Sequence, residues 1–121
     1  MNLKNTRKLY KDFPMLYRQH KLSIQESCMP WGFECGDGWF DLIYDLSKKI
    51  SKVDPDCEAT QVKEKFGTLR FYVQSDSDKV YSLLDKAEKK SEKTCENCGK
   101  PGKLSTIGWY SVRCKKCTVT R

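Results

Sequence analysis

Four of the seven cysteines stand as two Cys-x-x-Cys pairs, Cys95/Cys98 and Cys114/Cys117, with fifteen residues between the pairs. One Cys-x-x-Cys turn can present two sulfurs to a single ion, and two such turns supply the four thiolates that zinc takes in a tetrahedron. Gly99 follows the first pair. Glycine can adopt the positive φ with which a chain leaves such a knuckle, freeing backbone N–H groups to point at the sulfurs. Pro101-Gly102 turns the chain, and residues 103–113 are long enough for two short strands meeting near Gly108. A peptide of this size has too little apolar core to fold alone. The spacing therefore predicts one structural zinc ion on Cys95, Cys98, Cys114 and Cys117, with the order of a C-terminal ribbon depending on it. Four thiolates close the coordination sphere, whereas catalytic zinc keeps a position open, so the motif points to structure rather than catalysis. A redox dithiol needs an activated thiolate at a helix N-terminus, and nothing in the sequence suggests one. Only four residues follow Cys117. That favours a ribbon or knuckle over a treble clef, which needs a closing helix.

The other three cysteines, Cys28, Cys35 and Cys57, match no metal spacing even with His20 added, and are expected as small buried hydrophobes. An odd cysteine count without a secretory apolar segment at the N-terminus suits reduced thiols in a cytoplasm. No run of about 18 apolar residues is present, so no membrane span is expected. His20, the one histidine, has no neighbours that would make it part of a nucleophilic system.

Upstream of the ribbon the patterning is mixed. Leu9, Phe13, Leu16 and Tyr17 recur at helical spacing over residues 6–19, with Pro14 breaking the segment or opening a second turn capped by Asp12. Residues 21–36 show no sustained period and read as a structured, apolar-rich loop. Trp39, Leu42, Ile43, Leu46, Ile50 and Val53 form one face of a helix over 38–53, which Asp37 can cap and Asp54-Pro55 stops. Residues 57–65 and 68–74 read as a hairpin turning near Phe66-Gly67, pairing Val62 with Phe71, Thr60 with Val73, Glu64 with Leu69, Lys63 with Arg70 and Gln61 with Tyr72. Phe-Gly is not a favoured type I′ pair, which leaves open a longer loop. Val80, Leu83, Leu84 and Ala87 line a helix over 78–92 with Ser77 or Asp76 at its cap. The expected fold is α+β: helices packed on an antiparallel hairpin over residues 1–93, with the zinc ribbon over 94–121.

The charge is uneven. Residues 1–56 and 57–92 are nearly balanced, but 93–121 hold seven Lys/Arg against the single acid Glu96. One Zn²⁺ with four thiolates lowers that tail from +6 to about +4. Two basic-aromatic groups follow as candidates for nucleic acid: Lys63, Lys65, Arg70 and Tyr72 on the exposed hairpin face, and Lys100, Lys103, Arg113, Lys115, Lys116 and Arg121 with Trp109 and Tyr110 in the ribbon. The alternative for the hairpin group is a solvated sheet face, where lysine discourages edge pairing. The loop Cys35-Gly36-Asp37-Gly38-Trp39 reads either as a glycine loop approaching a ligand or as a tight turn with a core tryptophan. Met29, Trp31, Phe33, Trp39 and Phe40 form a candidate protein interface, since aromatic and Met residues are enriched at interface cores. Asp37, Asp41 and Asp45 have the i+4 spacing of a Mg²⁺ site but equally that of ordinary dipole partners.

The segments 32–40 (GFECGDGWF), 62–72 (VKEKFGTLRFY) and 95–102 (CENCGKPG), with the closing Cys114/Cys117 pair, resemble a family of small uncharacterised proteins common in phages and prophages. The resemblance covers roughly residues 30–117 and leaves out 1–25 and the four residues after Cys117. It implies a phage-type accessory protein in a bacterial cytoplasm and supplies no activity. The resulting expectation is a non-enzymatic zinc-binding module that binds nucleic acid through the ribbon and hairpin face. The alternative is a factor that docks on and modulates a host protein, such as a defence nuclease or the transcription machinery.

Overall fold

The computed structural model describes residues 1–106 and 108–119. Arg121, from the ribbon's basic group, lies outside them. Helix α1 (Leu3–Asp12) starts at Asn2, whose side chain accepts the Asn5 N–H, and ends before Pro14. Asp12 closes this helix instead of capping another. Its carboxylate accepts from Lys8 and from the Tyr44 hydroxyl. The chain then passes through two 3₁₀ turns, Arg18–Lys21 and Met29–Trp31, to a two-residue strand, β1 (Phe33–Glu34).

Helix α2 runs over Phe40–Val53 and buries Leu42, Ile43, Leu46 and Ile50, the apolar face expected of it, while Val53 at its end stays exposed. It is preceded by a 3₁₀ turn over Asp37–Trp39. Asp37 does not cap α2. Its Oδ1 accepts the Asn2 N–H at 2.7 Å and the Asn5 side-chain amide at 3.2 Å, tying the loop to the start of α1.

Strands β2 (Glu58–Lys65) and β3 (Thr68–Gln74) form the antiparallel hairpin, and β1 adds in parallel along β2, giving the order β1-β2-β3. Four of the five expected pairs are present. The fifth differs: Val73 faces Ala59, and the register shifts between Ala59 and Gln61. Thr60 is thus the extra residue of a bulge, which lets Ala59 stay in the core while Gln61 still opposes Tyr72. The turn has two residues, Phe66 (φ 54°) and Gly67 (φ 85°), both left-handed as a type I′ turn requires. The longer loop is not needed, because Phe66 accepts a backbone conformation uncommon for bulky residues.

Helix α3 (Asp78–Ser91) packs against α2 and β3, burying Val80 and Ala87 with Leu83 and Leu84 half-buried. The Ser91 hydroxyl takes the Leu69 N–H at 2.9 Å, which fixes α3 to the sheet. The core gathers Leu9, Leu16, Tyr17, Met29, Phe33, Trp39, Ile43, Ile50, Val62 and Leu69 among others. The segment 21–36 packs on the core only through Met29, Phe33 and Cys35, while residues 21–26 are exposed and its last residues add the strand β1.

Beyond α3, strands β4 (Lys103–Ser105) and β5 (Ser111–Arg113) pair antiparallel, with Gly108 at φ 71° in the loop between them. A five-residue helix, α4 (Lys115–Val119), follows and carries Cys117. Here the expectation of a ribbon without a closing helix is corrected. One turn of helix suffices to bring Cys117 back towards Cys114, and knuckle, hairpin and helix follow in treble-clef order.

Candidate functional site

The four cysteines Cys95, Cys98, Cys114 and Cys117 converge. Their sulfurs all lie within 4.8 Å of one another, with Cys98 and Cys114 at 3.5 Å. A tetrahedron with Zn–S bonds near 2.3 Å separates its sulfurs by about 3.8 Å, so the cluster has the dimensions of a four-thiolate site. Cys95, Cys114 and Cys117 are buried while Cys98 faces solvent. Gly99 leaves the knuckle at φ 83°, and its N–H donates to the Cys95 carbonyl. The Asn97 side-chain amide donates to Cys117 Sγ at 3.2 Å, and the Cys117 N–H donates to Cys114 Sγ at 3.4 Å.

These dipoles prepare thiolates. Burial works against ionisation of Cys95, yet the N–H groups of residues 114, 98 and 97 outweigh it and bring that thiol down to about 6. The Cys117 N–H likewise lowers Cys114 against its burial. Cys98 goes the other way: although the Lys100 N–H favours its thiolate, burial and the three neighbouring sulfurs push it up to about 11. Four negative sulfurs this close repel one another, and a bound dication removes that repulsion. The arrangement can hold one metal ion, closed on all sides by protein sulfur. The remaining thiols are different. Burial pushes Cys35 up to about 12 and Cys57 up to about 11, which keeps both protonated and inert. Cys28 is exposed, and His20 stacks on Tyr10 at 3.9 Å.

The knuckle does not hang free. Glu96, inside the first Cys-x-x-Cys, accepts the Gly36 N–H on its carboxylate at 2.8 Å and the Gly38 N–H on its backbone carbonyl at 2.7 Å. Its own N–H donates to the Val112 carbonyl at 3.0 Å. A Cβ on Gly36 would overlap the Glu96 carbonyl, and one on Gly38 would overlap the carbonyls of Cys95 and Glu96. The indole N–H of Trp39, whose ring is fully buried, donates to the Thr94 carbonyl at 2.9 Å. The close approach that the two glycines permit is thus to the knuckle's own backbone. Sequence reasoning gave this loop a ligand or a turn, and did not foresee that it seats the metal knuckle. Glu96 between the cysteines and glycines on both sides of Asp37 were the available signals.

The two basic-aromatic groups meet in part. Glu64, Lys65 and Phe66 of the β2–β3 turn and Gly108, Trp109 and Tyr110 of the β4–β5 loop line an open cleft of about 640 Å³. Trp109 is 80% exposed and Phe66 64%, and the Phe66 and Tyr110 rings meet edge-on at 6.3 Å. The Lys65 ammonium sits 5.7 Å from the Phe66 ring centre. The two hairpins touch at Gly67, where a Cβ would come within 2.7 Å of the Leu104 side chain and 3.0 Å of the Ser111 nitrogen. In the sequence Phe66 reads only as a turn residue, so nothing there marks its ring as part of a cleft.

The other candidates lie elsewhere. Tyr72 faces a separate groove beside Gln19, Cys28 and Gln61, away from the turn. Arg70 pairs with Glu88 at 3.5 Å. Lys103 opposes Arg113 across β4–β5 and lines a second groove with it and Lys115, while Lys100 and Lys116 are exposed. Among the described residues none of Lys63, Lys65, Lys100, Lys103, Arg113, Lys115 and Lys116 makes an ion pair. Met29, Phe33 and Trp39 are buried and Phe40 half-buried, so of the tryptophan-loop interface Trp31 alone stands well clear of the core, at 64% exposed. Asp45 pairs with Lys49, and Asp37 is held by Asn2 and Asn5. No helix among the described residues is long and apolar enough to cross a membrane. No protein-family model, curated protein or solved structure matches the chain, and the resemblance to phage proteins rests on its sequence segments alone.

Proposed function

We propose that this chain is a non-enzymatic module in which one zinc ion orders the C-terminal knuckle, and that its basic ribbon and hairpin tip bind nucleic acid. The observation that supports it most is the concentration of unpaired cations beside exposed aromatics. Lys63 faces Arg70 across β2–β3, and Lys103 faces Arg113 across β4–β5. Like charges directly opposite each other oppose sheet formation. Glu88 relieves the first pair only at Arg70. A chain that keeps such pairs gains from them when a polyanion covers them. The one acid of the ribbon, Glu96, is turned inward onto the Gly36 N–H, and of the ribbon's cations it acts electrostatically on Arg113. Zinc is the ion because a sulfur-only, four-donor set is its usual structural site, and the ion's part is to cross-link the knuckle, with no chemistry of its own.

Titration of labelled oligonucleotides by fluorescence anisotropy tests this reading. If about five phosphates are neutralised, affinity falls roughly a hundredfold or more between about 50 and 200 mM salt. An absence of binding to any single- or double-stranded nucleic acid at low salt contradicts it. Docking on a host protein through residues 29–40 has less behind it, since Met29, Phe33 and Trp39 lie in the core. A stoichiometric protein partner that survives nuclease treatment of a bacterial lysate, with no affinity for nucleic acid, would move the reading there. The phage-type setting in a bacterial cytoplasm belongs to the same proposal.

A further inference from the structure

We infer that the cleft between the β2–β3 turn and the β4–β5 loop receives an unpaired nucleobase, so that the module selects single-stranded nucleic acid over duplex. This deepens the nucleic-acid reading and rests on it. The cleft draws its aromatics from two separate hairpins: Phe66 from one, Trp109 and Tyr110 from the other. An exposed ring contributes little to folding, and Phe66 costs the fold something as well. It occupies a left-handed position (φ 54°) where Asn or Gly would sit without strain, yet its ring points into solvent. A residue that is unfavourable for its turn and absent from the core is explained by what it presents outward.

The Phe66 side of the platform is also braced. Glu64 Oε2 accepts the Gly67 N–H at 3.0 Å across the turn, and Gly67 is pressed on Leu104 and Ser111. A base that enters meets the Phe66 ring on a turn already fixed and loses little to ordering that side of the cleft. Every base has a π-face, so such a platform tolerates many sequences, but a base inside a duplex has both faces covered by its neighbours. The rim suits the backbone that comes with the base. Lys65 stands at the cleft and Lys63 two residues along the same strand face, neither in an ion pair among the described residues. The carboxylate of Glu64, which also lines the cleft, is engaged by the Gly67 N–H. A cationic rim around rings fits a phosphate-bearing base better than an apolar peptide.

The test compares zinc-loaded full chain on a homopyrimidine single strand and on a duplex of the same length, at one low salt concentration. Wild type is expected to hold the single strand at least about tenfold more tightly. Trp109→Ala and Phe66→Asn should each weaken single-strand binding by about five- to a hundredfold and duplex binding by much less, with the salt slope unchanged. Phe66→Asn suits a type I′ turn and Trp109 is far outside the core, so both variants retain the fold, as near-ultraviolet circular dichroism checks. Lys65→Gln should weaken both forms and reduce the salt slope. Equal wild-type affinity for single strand and duplex, or variants that bind the single strand as wild type does, overturns the cleft assignment while leaving the nucleic-acid reading standing. No binding to either form defeats that reading and the inference with it.

Discussion

Among the described residues, two of the ribbon's contacts with the rest of the chain differ in kind. At the first, the knuckle lies on the 35–39 loop, backbone against backbone, with Gly36 and Gly38 donating to Glu96 and Trp39 donating to Thr94. At the second, the turn at Phe66-Gly67 touches Leu104 and Ser111 and then diverges into an open, aromatic cleft. The first contact has no room for a methyl group. The second keeps large rings in water. A seam that excludes side chains holds a fold together, and a cleft that exposes them does not. The same small unit thus joins a structural contact to a candidate binding surface about one hairpin away.

Glycine substitutions separate the two regions most sharply. Gly38→Ala must displace the backbone of Cys95 and Glu96, and we expect it to destabilise the chain by about 3 kcal/mol, read from urea unfolding. Gly108→Ala has open space around it and only its φ of 71° to oppose it, so about 1 kcal/mol is expected. Equal costs at both positions would remove the contrast. Next in size, Trp39→Phe keeps most of the buried ring but leaves the Thr94 carbonyl without its donor. A loss of about 1–2 kcal/mol is expected by the same measurement, with early amide exchange at Thr94 to Glu96. The smallest effect has the opposite sign: Phe66→Asn relieves the left-handed turn and should raise stability by up to about 1 kcal/mol. A gain there, with weaker binding to single strands, is the pattern of a residue kept for its surface at some cost to the fold.

How far these regions could be read in advance follows from how local their determinants are. The stripe of Leu42, Ile43, Leu46 and Ile50 and the pairing of Val62 with Phe71 are written in short-range periodicity, so α2 and most of the hairpin register were legible. The four cysteines were legible because ligand spacing is a local signature. The strand β1 was not, since two residues have no period and Phe33 pairs with Val62 across the fold. The bulge at Thr60 escaped because alternation extends smoothly through it until the Ala59 side chain claims the core. Gly36 and Gly38 read equally well as a turn or as a ligand loop. What decides between them is Glu96, about sixty residues away, whose carboxylate accepts the Gly36 N–H. Met29, Phe33 and Trp39 misled as interface residues because aromatic content does not distinguish a core from a docking surface.

The claim on which the rest depends is that a metal ion closes the knuckle and thereby docks the ribbon on the glycine loop. Native mass spectrometry joined to hydrogen exchange, before and after chelation at neutral pH, tests it directly. We expect one zinc per chain. Its removal should release the amides of Gly36 and Gly38 and expose Trp39, while α2 and the centre of β2–β3 keep their protection. A chain purified without bound metal, or one whose Gly36 and Gly38 amides stay protected after the zinc has been extracted, contradicts the account.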